Sequence, residues 1–465
     1  MTENPRPRFD ADLIEKYGGE GPRYTSYPTA VQFSDTFTSA QWKDALDDSN
    51  RVPIPADLSL YVHVPFCSSP CFYCGCNRVI TRSITAGQEF LVHLEKELDL
   101  AAPHFDRDRK VRQVHLGGGT PTFLETAQIG QLMRLLRSRF SFSADAEIGL
   151  EVDPRSVTPA DIRELKGIGF NRISIGIQDL DPEVQKAVNR VHDAAWVASI
   201  IGAARAVRFD SISVDLIYGL PKQTTGAFAQ TVEQILEMKP DRISLFNYAH
   251  MPHLFKAQNR ISADDLPLPS IKLALFRNTL NRLLDAGYEF IGMDHFALPE
   301  DDLAIARRNG TMVRNFQGYS THGGLDLLAM GPSAISEVGD CFAQNHRKLQ
   351  DWQFCLREGR LPVARGLVRT TDDRLRAEII STIMCNGELR YRAFEVEYEF
   401  SFKSYFAQSL ERLEVLAGDG LIEWIDRGFR ATDRGLLFLR AIAMAFDAYI
   451  KRDGEAQGQR FSRIV

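Results

Sequence analysis

The sequence lacks several features that would mark its partners or its compartment. Its 465 residues contain no apolar run approaching the roughly 20 residues that a membrane-spanning helix needs. Positive charge is not in excess, because 55 lysines and arginines stand against 61 aspartates and glutamates, for a formal net charge of -6. The N-terminal residues MTENPRPRFDAD contain no apolar segment of a signal peptide. We therefore predict a cytoplasmic protein that binds neither membrane nor nucleic acid.

Cysteine is scarce, with seven in the chain, but Cys67, Cys71, Cys74 and Cys76 fall within ten positions. So few cysteines in so long a chain are not a disulfide framework, and their clustering indicates a metal site in a reducing compartment. The first three are spaced C-x3-C-x2-C, which lets one loop bring three thiolates to one inorganic centre. The second C-x2-C pair of many structural zinc sites is absent. The spacing favours an iron–sulfur cluster with one open iron, and zinc or a disulfide remains the alternative.

The middle of the chain alternates between short β-rich runs and helical patterns. Hydrophobic residues make up 44% and charged residues 25%, as in a globular protein with a large core. We predict strands over 59–66, 111–116, 146–152, 172–177, 211–217 and 242–247, with helices over 90–101, 128–139, 161–168, 194–207 and 228–239. Strands that alternate with helices indicate βαβ units and a parallel sheet. The predicted fold class is α/β, a partial (β/α)6 barrel over residues 55–345.

Polar or glycine-rich segments follow each predicted strand. They are the cysteine loop, GGGTPT (117–122), Glu151, Gln178, Asp215 and the segment 247–250. In a (β/α) barrel the active site lies at the carboxyl ends of the strands, so we expect these groups to share one site. GGGTPT lacks the Lys-Ser/Thr of a phosphate-binding P-loop, and we interpret its glycines as a place where a ligand approaches the backbone.

The two ends of the chain lack the alternation of strand and helix patterns. Residues 1–54 are predicted as an N-terminal arm, in which Arg23, Tyr24 and Tyr27 would suit a lid over an acidic ligand; an ordered surface arm is the alternative. Residues 346–465 are predicted as a mostly helical cover domain with a winged-helix-like hairpin over 421–435, which no basic stripe accompanies.

Two further segments of the barrel region have distinct patterns. We predict that residues 288–298 form a seventh strand with its loop. Residues 315–336, rich in glycine and apolar residues, are predicted as a loop packed over the site.

Several motifs together resemble one known family. They are GPRYTSYPT, YVHVPFC-x3-C-x2-CGC, GGGTPT, EVDPR, GIQD, VDLIYGLP, FNYAH, MDHFA and NFQGY. These are similar to the oxygen-independent coproporphyrinogen III oxidases, radical S-adenosylmethionine (SAM) enzymes of haem biosynthesis, from near residue 10 to the C-terminus. The cysteine triad alone would indicate only the radical SAM superfamily. The fourth cysteine of CGC, the arm and NFQGY narrow the resemblance to this family.

The resemblance implies a radical SAM barrel that converts two propionates of coproporphyrinogen III to vinyl groups, giving protoporphyrinogen IX. It implies a 4Fe–4S cluster on Cys67, Cys71 and Cys74, with SAM at the open iron, and two SAM molecules in all. Cleavage of SAM by the reduced cluster would give a 5′-deoxyadenosyl radical that takes a propionate hydrogen. The implied partners are the porphyrinogen, an unidentified low-potential electron donor and an electron acceptor, and we expect a monomer.

The resemblance also assigns residues. Those implied to be catalytic are Tyr61, Glu151, Phe316, Gln317 and Ile335. The implied SAM-binding positions are Tyr61, Tyr73, Gly118, Gly119, Thr120, Glu151, Gln178, Arg190, Asp215, Ala249 and Ile335. Tyr61, Glu151 and Ile335 would contact the first SAM, and Gln178, Arg190 and Asp215 the second. The family often has phenylalanine directly before the third cysteine, whereas this chain has the reversed order Phe72-Tyr73. We expect stacking on adenine to be kept, and a hydrogen bond from the Tyr73 hydroxyl to differ.

Some roles and functions stay open. Cys76 is too close to Cys74 for joint coordination, and we hypothesise that it acts near the substrate. Arg23, Arg155 and Arg314 are candidates for binding the propionates, with surface salt bridges as the alternative. The competing functions are haem binding or transfer by a relative of the same superfamily, and radical SAM methyl transfer.

Overall fold

The structure, a computed structural model, describes residues 6–450 and Arg463. The first five residues, which belong to the N-terminal segment for which we predicted no signal peptide, lie outside the described residues. Residues 451–462 and 464–465 of the predicted C-terminal domain lie outside them as well. Among the described helices none is both long enough and apolar enough to cross a bilayer.

The helices follow in chain order. They are α1 (Ala11–Tyr17), α2 (Ser39–Asp48), α3 (Thr85–Ala101), α4 (Thr126–Arg139), α5 (Pro159–Ile168), α6 (Pro182–Ala187), α7 (Ala194–Ala206), α8 (Thr225–Met238), α9 (Pro269–Asp285), α10 (Asp302–Arg308), α11 (Leu349–Arg357), α12 (Thr371–Asn386), α13 (Tyr391–Glu397), α14 (Phe402–Tyr405), α15 (Ala407–Gly418) and α16 (Leu439–Met444).

The strands are interleaved with these helices. They are β1 (Leu58–Val64), β2 (Phe66–Cys67), β3 (Val79–Ile80), β4 (Lys110–Gly118), β5 (Ser141–Val152), β6 (Arg172–Gln178), β7 (Ser211–Tyr218), β8 (Arg242–Asn247), β9 (Glu289–Gly292), β10 (His295–Ala297), β11 (Val313–Asn315), β12 (Gly318–Ser320), β13 (Asp326–Met330), β14 (Ile335–Val338), β15 (Cys341–Asn345), β16 (Val363–Val368), β17 (Glu388–Arg390), β18 (Ile422–Ile425) and β19 (Gly428–Ala431).

The chain is divided into two compact units. The larger unit comprises Phe33–Leu275 and Gly324–Val368, and the smaller unit comprises Met1–Gln32, Phe276–Gly323 and Arg369–Val465. The predicted domain boundaries after residues 54 and 345 stay predictions. The compact units divide the chain elsewhere, because β16 continues the sheet of the larger unit beyond residue 345.

One sheet organises the larger unit. Its strand order is β16-β15-β14-β13-β1-β4-β5-β6-β7-β8. Neighbours from β13 to β8 pair in parallel, whereas β14, β15 and β16 pair antiparallel. The predicted strands correspond to β1, β4, β5, β6, β7 and β8, and the predicted helices to α3, α4, α5, α7 and α8, so this part of the prediction is confirmed.

The local sequence explains why the alternation is regular. Central strands such as β1 are buried on both faces, which produces near-continuous apolar runs between turn residues. Helix α5 begins in a capping box formed by Thr158 and Asp161 and ends at Gly169, whose φ of 115° is open to glycine at little cost. Such signals set where each βα unit starts and stops.

Two segments differ from their predictions. Residues 288–298 form two short strands, β9 and β10, paired antiparallel rather than one strand with its loop, because the chain reverses at Met293, whose φ is 51°. Residues 315–336 are not a loop, since they contain β12, β13 and the start of β14. Every residue of β13 is buried and it pairs in parallel with β1. A short apolar strand between glycines has no alternation that would distinguish it from a packed loop.

The smaller unit has its own core. Ile291, Ala297, Leu303, Met312 and Cys385 pack together in it, which joins β9 and β10 to α10 and α12. The hairpin predicted over 421–435 is confirmed as β18 and β19, and β17 extends it to three strands.

The arm is bound firmly into the smaller unit at two tyrosines. Tyr24 and Tyr27 are each only 4% exposed. The Tyr24 hydroxyl donates to Asp447 over 2.9 Å, and the backbone N–H of Ala448 donates to the Tyr27 hydroxyl over 2.9 Å. Their rings are therefore core side chains of the smaller unit, and the predicted role of the arm as a lid stays a prediction.

A buried carboxylate links several elements of the larger unit. Glu97 on α3 accepts hydrogen bonds from the Gly331 backbone N–H (2.9 Å), Asn345 Nδ2 (2.6 Å) and Trp352 Nε1 (2.9 Å). Burial raises the pKa of Glu97 to about 7 against the opposing effect of these donors. The residue thus satisfies three buried donors at once.

We expect Glu97→Ala to lower the free energy of unfolding by about 3 kcal/mol or more, because each buried donor left without an acceptor costs about 1–3 kcal/mol. Chemical denaturation of the full chain measures this difference. Glu89→Ala, at an exposed position on the same helix, is the matched control and should change stability little. Equal losses in the two variants would show that the network contributes nothing.

Candidate active site

The cysteine loop is closed at its base by a short parallel pair of strands. Phe66 and Cys67 of β2 pair with Val79 and Ile80 of β3. Within the loop, the Arg78 guanidinium donates to the carbonyls of Cys74 (3.0 Å) and Cys71 (3.1 Å). These bonds fix the loop backbone.

A second element holds the same loop from outside. Asn189 Nδ2 donates to the Ser69 hydroxyl (3.1 Å) and to the Pro70 carbonyl (2.7 Å). The backbone N–H of Phe72 donates to the Val188 carbonyl over 2.9 Å. The segment after α6 therefore positions the outer half of the cysteine loop.

Each sulfur of the predicted cluster site has a polar partner. Cys67 Sγ lies 3.2 Å from the Thr120 hydroxyl. Cys71 Sγ accepts from Arg155 Nη2 (3.3 Å) and Arg190 Nη1 (3.4 Å). Cys74 Sγ accepts from the backbone N–H of Cys76 over 3.4 Å. The side chain of Cys76 also lowers the pKa of Cys74 to about 6 through a hydrogen bond. Hydrogen bonds of this kind favour thiolates, the form that binds iron.

All seven cysteines are free thiols, so the disulfide alternative is wrong. In the part of the chain that the structure describes, no three His, Cys, Asp or Glu side chains are arranged around a single metal ion. A cluster does not require such convergence, because each thiolate bonds a different iron. The donor set fits an iron–sulfur cluster.

The glycines after β4 bring backbone close to the loop. A Cβ on Gly119 would lie 2.9 Å from the Phe66 carbonyl oxygen and 2.9 Å from the Pro65 carbonyl. Gly118 has a φ of 115°, and a Cβ there would lie 2.7 Å from His63 Nδ1. Both positions therefore require glycine, which lets the backbone after β4 pass close to the cysteine loop and to His63.

Tyr61, His115 and Glu151 lie side by side on three adjacent strands, β1, β4 and β5. The rings of Tyr61 and His115 are stacked, with centroids 6.1 Å apart. His115 Nε2 lies 3.5 Å from Glu151 Oε1, and the Gly118 N–H donates to Glu151 Oε2 over 3.3 Å. The Glu151 side chain is 46% exposed, so its carboxylate is accessible to a ligand.

Farther along the sheet, two buried oxygens have no hydrogen-bond partner. They are Gln178 Oε1 at the end of β6 and Asn247 Oδ1 at the end of β8. Gln178 also has a φ of 73°, in the left-handed region that non-glycine residues rarely adopt. Unpaired buried acceptors and local strain are features of ligand sites.

Asp215 of β7 lies between these two strands. Burial, reinforced by the negative charge of Glu151, raises the pKa of Asp215 to about 7. The Ser174 hydroxyl donates to Asp215 over 3.3 Å. Residues Gly118, Glu151, Gln178 and Asp215 thus lie along one edge of the sheet.

The guanidinium group of Arg190 forms hydrogen bonds within the protein. It is 7% exposed and donates to the Gly176 carbonyl (3.1 Å from Nε), to Cys71 Sγ and to Asp153 Oδ2 (3.2 Å). Asp153 is buried, which alone would raise its pKa, but Arg190 and Arg155 lower the pKa to about 2. The acid is therefore ionised at neutral pH.

The other predicted SAM residues lie at the rim of this edge. Gln258 Nε2 donates to the carbonyls of Tyr73 (3.0 Å) and Ala249 (3.2 Å), which ties the cysteine loop to the segment after β8. Burial raises the pKa of Tyr73 well above its usual value. Ile335 begins β14, which β13 separates from β1.

Phe316 and Gln317 belong to the smaller unit, at the turn between β11 and β12. Gln317 Nε2 is buried without a hydrogen-bond partner. Arg314 on β11 lies over the Tyr319 ring at 4.6 Å, and its Nε donates to the Arg23 carbonyl over 3.2 Å. Arg314 Nη1 is likewise buried without a hydrogen-bond partner.

Arg23 in turn pairs with Asp294 over 2.6 Å, within the same unit. The pair is partly exposed, with 37% of the arginine side chain accessible. Of the arginines suggested for propionate binding, Arg23 and Arg314 therefore lie together.

The sequence prediction missed three residues at the edge. His63 and His115 each contact a predicted residue, since His63 Nδ1 lies 3.3 Å from the Tyr61 hydroxyl. The sequence carried a signal for His63, because alternate residues of a strand share a face and His63 is two positions from Tyr61. His115 carried no such signal, since it is three positions from Gly118. Asp153, which joins two arginines, was indicated only by its place directly after β5.

Comparison with known proteins gives consistent results. The model of the radical SAM superfamily matches residues 61–235, and that of the HemN C-terminal domain matches residues 370–438. The oxygen-independent coproporphyrinogen III oxidase of Pseudomonas aeruginosa is 46% identical over 460 residues, covering 98% of this chain and 99% of the relative. That of Escherichia coli is 46% identical over 457 residues, covering 98% of each chain.

A solved structure also matches. Coproporphyrinogen III oxidase (HemN) from Escherichia coli, described as a radical SAM enzyme, superposes with a TM-score of 0.91 at 45% identity. The match covers 96% of this chain and 100% of the other. The predicted radical SAM fold and the family resemblance are confirmed. This chain belongs to the family of oxygen-independent coproporphyrinogen III oxidases, within the radical SAM superfamily.

Proposed function

We propose that this protein catalyses the oxygen-independent oxidative decarboxylation of two propionates of coproporphyrinogen III to vinyl groups, giving protoporphyrinogen IX. The observation that carries the proposal is a loop of free, hydrogen-bonded thiols at the carboxyl edge of the sheet, in a chain that matches such oxidases over 98% of its length. The reaction removes CO2, one hydrogen and one further electron from each propionate.

The cofactor assignment follows from the thiol loop. Cys67, Cys71 and Cys74 would hold the 4Fe–4S cluster and leave one iron for SAM. When bound together, the reduced cluster and SAM supply a 5′-deoxyadenosyl radical, which takes a hydrogen atom from the propionate. The chain contributes a loop that is fixed by hydrogen bonds and a sheet edge that orients the bound ligands.

Two SAM molecules would bind along this edge in two groups of side chains. Tyr61, Glu151 and Ile335 would contact the first, and Gln178, Arg190 and Asp215 the second. The remaining positions would serve the pair without assignment to one molecule: Tyr73, Gly118, Gly119, Thr120 and Ala249. The accessible carboxylate of Glu151 suits an ammonium or ribose group, and the unpaired Gln178 oxygen suits a donor. Because Arg190 already pairs with Asp153, its part in SAM binding would use its remaining donor capacity.

Propionate recognition is proposed for the smaller unit. Arg314 Nη1 and Gln317 Nε2 are buried donors without partners, and Phe316 lies beside them in sequence. A carboxylate would satisfy such donors and offset the buried positive charge of Arg314. Arg155, by contrast, has all three guanidinium nitrogens engaged near the cysteine loop, so we no longer assign it to the propionates.

Further parts of the proposal concern partners and location. Each turnover needs a low-potential electron donor and an electron acceptor, neither of which is identified. A monomeric, cytoplasmic enzyme is consistent with seven free thiols.

An anaerobic assay tests the function. The reconstituted protein is given SAM, a reductant and coproporphyrinogen III, and protoporphyrinogen IX and 5′-deoxyadenosine are quantified together. We expect two deoxyadenosines for each product molecule. Deoxyadenosine or S-adenosylhomocysteine without vinyl product would contradict the substrate, and tight haem binding without SAM cleavage would favour a haem-handling protein.

We expect Gly119→Ala to weaken SAM binding at least tenfold, because the new Cβ would press on the backbone carbonyls of Pro65 and Phe66 and displace the β4 loop. Equilibrium dialysis with the cluster-loaded protein gives the dissociation constant. Gly167→Ala is the control, since a Cβ at that helical position meets nothing within 4 Å. Unchanged affinity in Gly119→Ala would argue against this loop as a SAM site.

We expect Arg314→Gln to raise the KM for coproporphyrinogen III about tenfold or more, because a charged hydrogen bond to a carboxylate is worth about 1.5–3 kcal/mol. The change in kcat should be smaller. Steady-state kinetics measures both, and Arg392→Gln, exposed on α13 of the same unit, is the matched control. If both variants have the same KM, Arg314 does not bind the substrate.

A further inference from the structure

The three sulfurs of the cysteine loop have unequal electrostatic surroundings. Cys67 faces a neutral hydroxyl and Cys74 a backbone amide, at 3.2 Å and 3.4 Å. Cys71 instead accepts hydrogen bonds from two guanidinium groups, those of Arg155 at 3.3 Å and Arg190 at 3.4 Å. Direct hydrogen bonds from guanidinium groups to sulfur therefore fall on Cys71, and not on Cys67 or Cys74.

Asp153 holds both guanidinium groups in place. It accepts from Arg155 Nε (3.0 Å to Oδ1) and Nη2 (2.7 Å to Oδ2), and from Arg190 Nη1 (3.2 Å to Oδ2). Asp153 and Arg190 are 8% and 7% exposed. In this water-poor setting charged hydrogen bonds are strong, and the carboxylate offsets part of the positive charge.

Arg155 has no freedom to turn toward another ligand. Its Nη1 donates to the Asn189 carbonyl over 3.2 Å, which leaves no guanidinium nitrogen unbonded. The same Asn189 side chain bonds Ser69 and Pro70 of the cysteine loop. Arg155 is thus tied to both the loop and the carboxylate.

From this geometry we infer that Arg155, oriented by Asp153, is a positioning residue that sets the reduction potential of the iron–sulfur cluster through its hydrogen bond to Cys71. The inference rests on the proposed cluster. Reduction adds negative charge to the cluster, and a cationic donor on a ligating sulfur stabilises that form, so the potential rises. The negative charge of Asp153 acts in the opposite direction and lowers the potential.

Potentiometric titration followed by electron paramagnetic resonance tests the inference. The full chain is reconstituted anaerobically with iron and sulfide, without SAM or substrate, as wild type, Arg155→Gln, Asp153→Asn and Arg163→Gln. We expect a lower potential for Arg155→Gln and a higher one for Asp153→Asn. Arg163→Gln, which removes an exposed arginine of α5, should match the wild type. A potential for Arg155→Gln equal to that of Arg163→Gln, or a lowered one for Asp153→Asn, would overturn the inference.

Iron and sulfide content separate this result from a failure to hold the cluster. If Arg155→Gln binds no cluster, Arg155→Lys, which keeps a positive charge, replaces it. Its potential should lie slightly below that of wild type while Asp153→Asn lies above, and coincidence of all three would overturn the inference. A wild-type chain that binds no cluster would instead contradict the proposed function.

Discussion

The buried contact of Asp153 with Arg155 and Arg190 is the interaction on which the proposed site depends. It places two cations on Cys71 and, through Asn189, fixes the outer half of the cysteine loop. One buried and one partly buried cation without a counter-ion would be costly, so the carboxylate stabilises both arginines at this place. Together with the β2–β3 pair and the bonds from Arg78, this cluster of three charged groups fixes the position of the loop, and hence of any cluster that the loop holds.

The sheet supplies the second constraint. Parallel pairing in fixed register sets Tyr61 beside His115 and Gly176 beside Asp215. Side chains that are far apart in sequence therefore meet at one edge, which contains the strained Gln178 and the unpaired buried oxygens of Gln178 and Asn247. The cysteine loop lies at the same edge. The α/β fold thereby places the thiols beside the side chains that we propose to bind SAM.

Much of this was predictable from the sequence. The alternation of apolar strands with capped helices predicted the six βα units, and the spacing C-x3-C-x2-C predicted the three thiols of the cysteine loop. Both patterns are local in the sequence. The parallel strand β13 was not predictable, since its apolar residues lie between glycines and pair with β1, more than 250 residues earlier in the chain. The burial of Tyr24 and Tyr27 was not predictable for a related reason: only the tertiary structure shows their hydrogen bonds with Asp447 and Ala448. The predicted roles of the SAM and substrate residues stay predictions, because a ligand-binding role depends on the bound ligand as well as on the fold.

The central claim is that three thiols of one loop, and no others, hold the cluster. Iron and sulfide per chain, measured after anaerobic reconstitution of all seven single Cys→Ser variants, test it most directly. The account expects loss of cluster for Cys67, Cys71 and Cys74, and wild-type content for Cys76, Cys341, Cys355 and Cys385. Full retention in any of the first three, or loss in any of the other four with the fold intact, would contradict it.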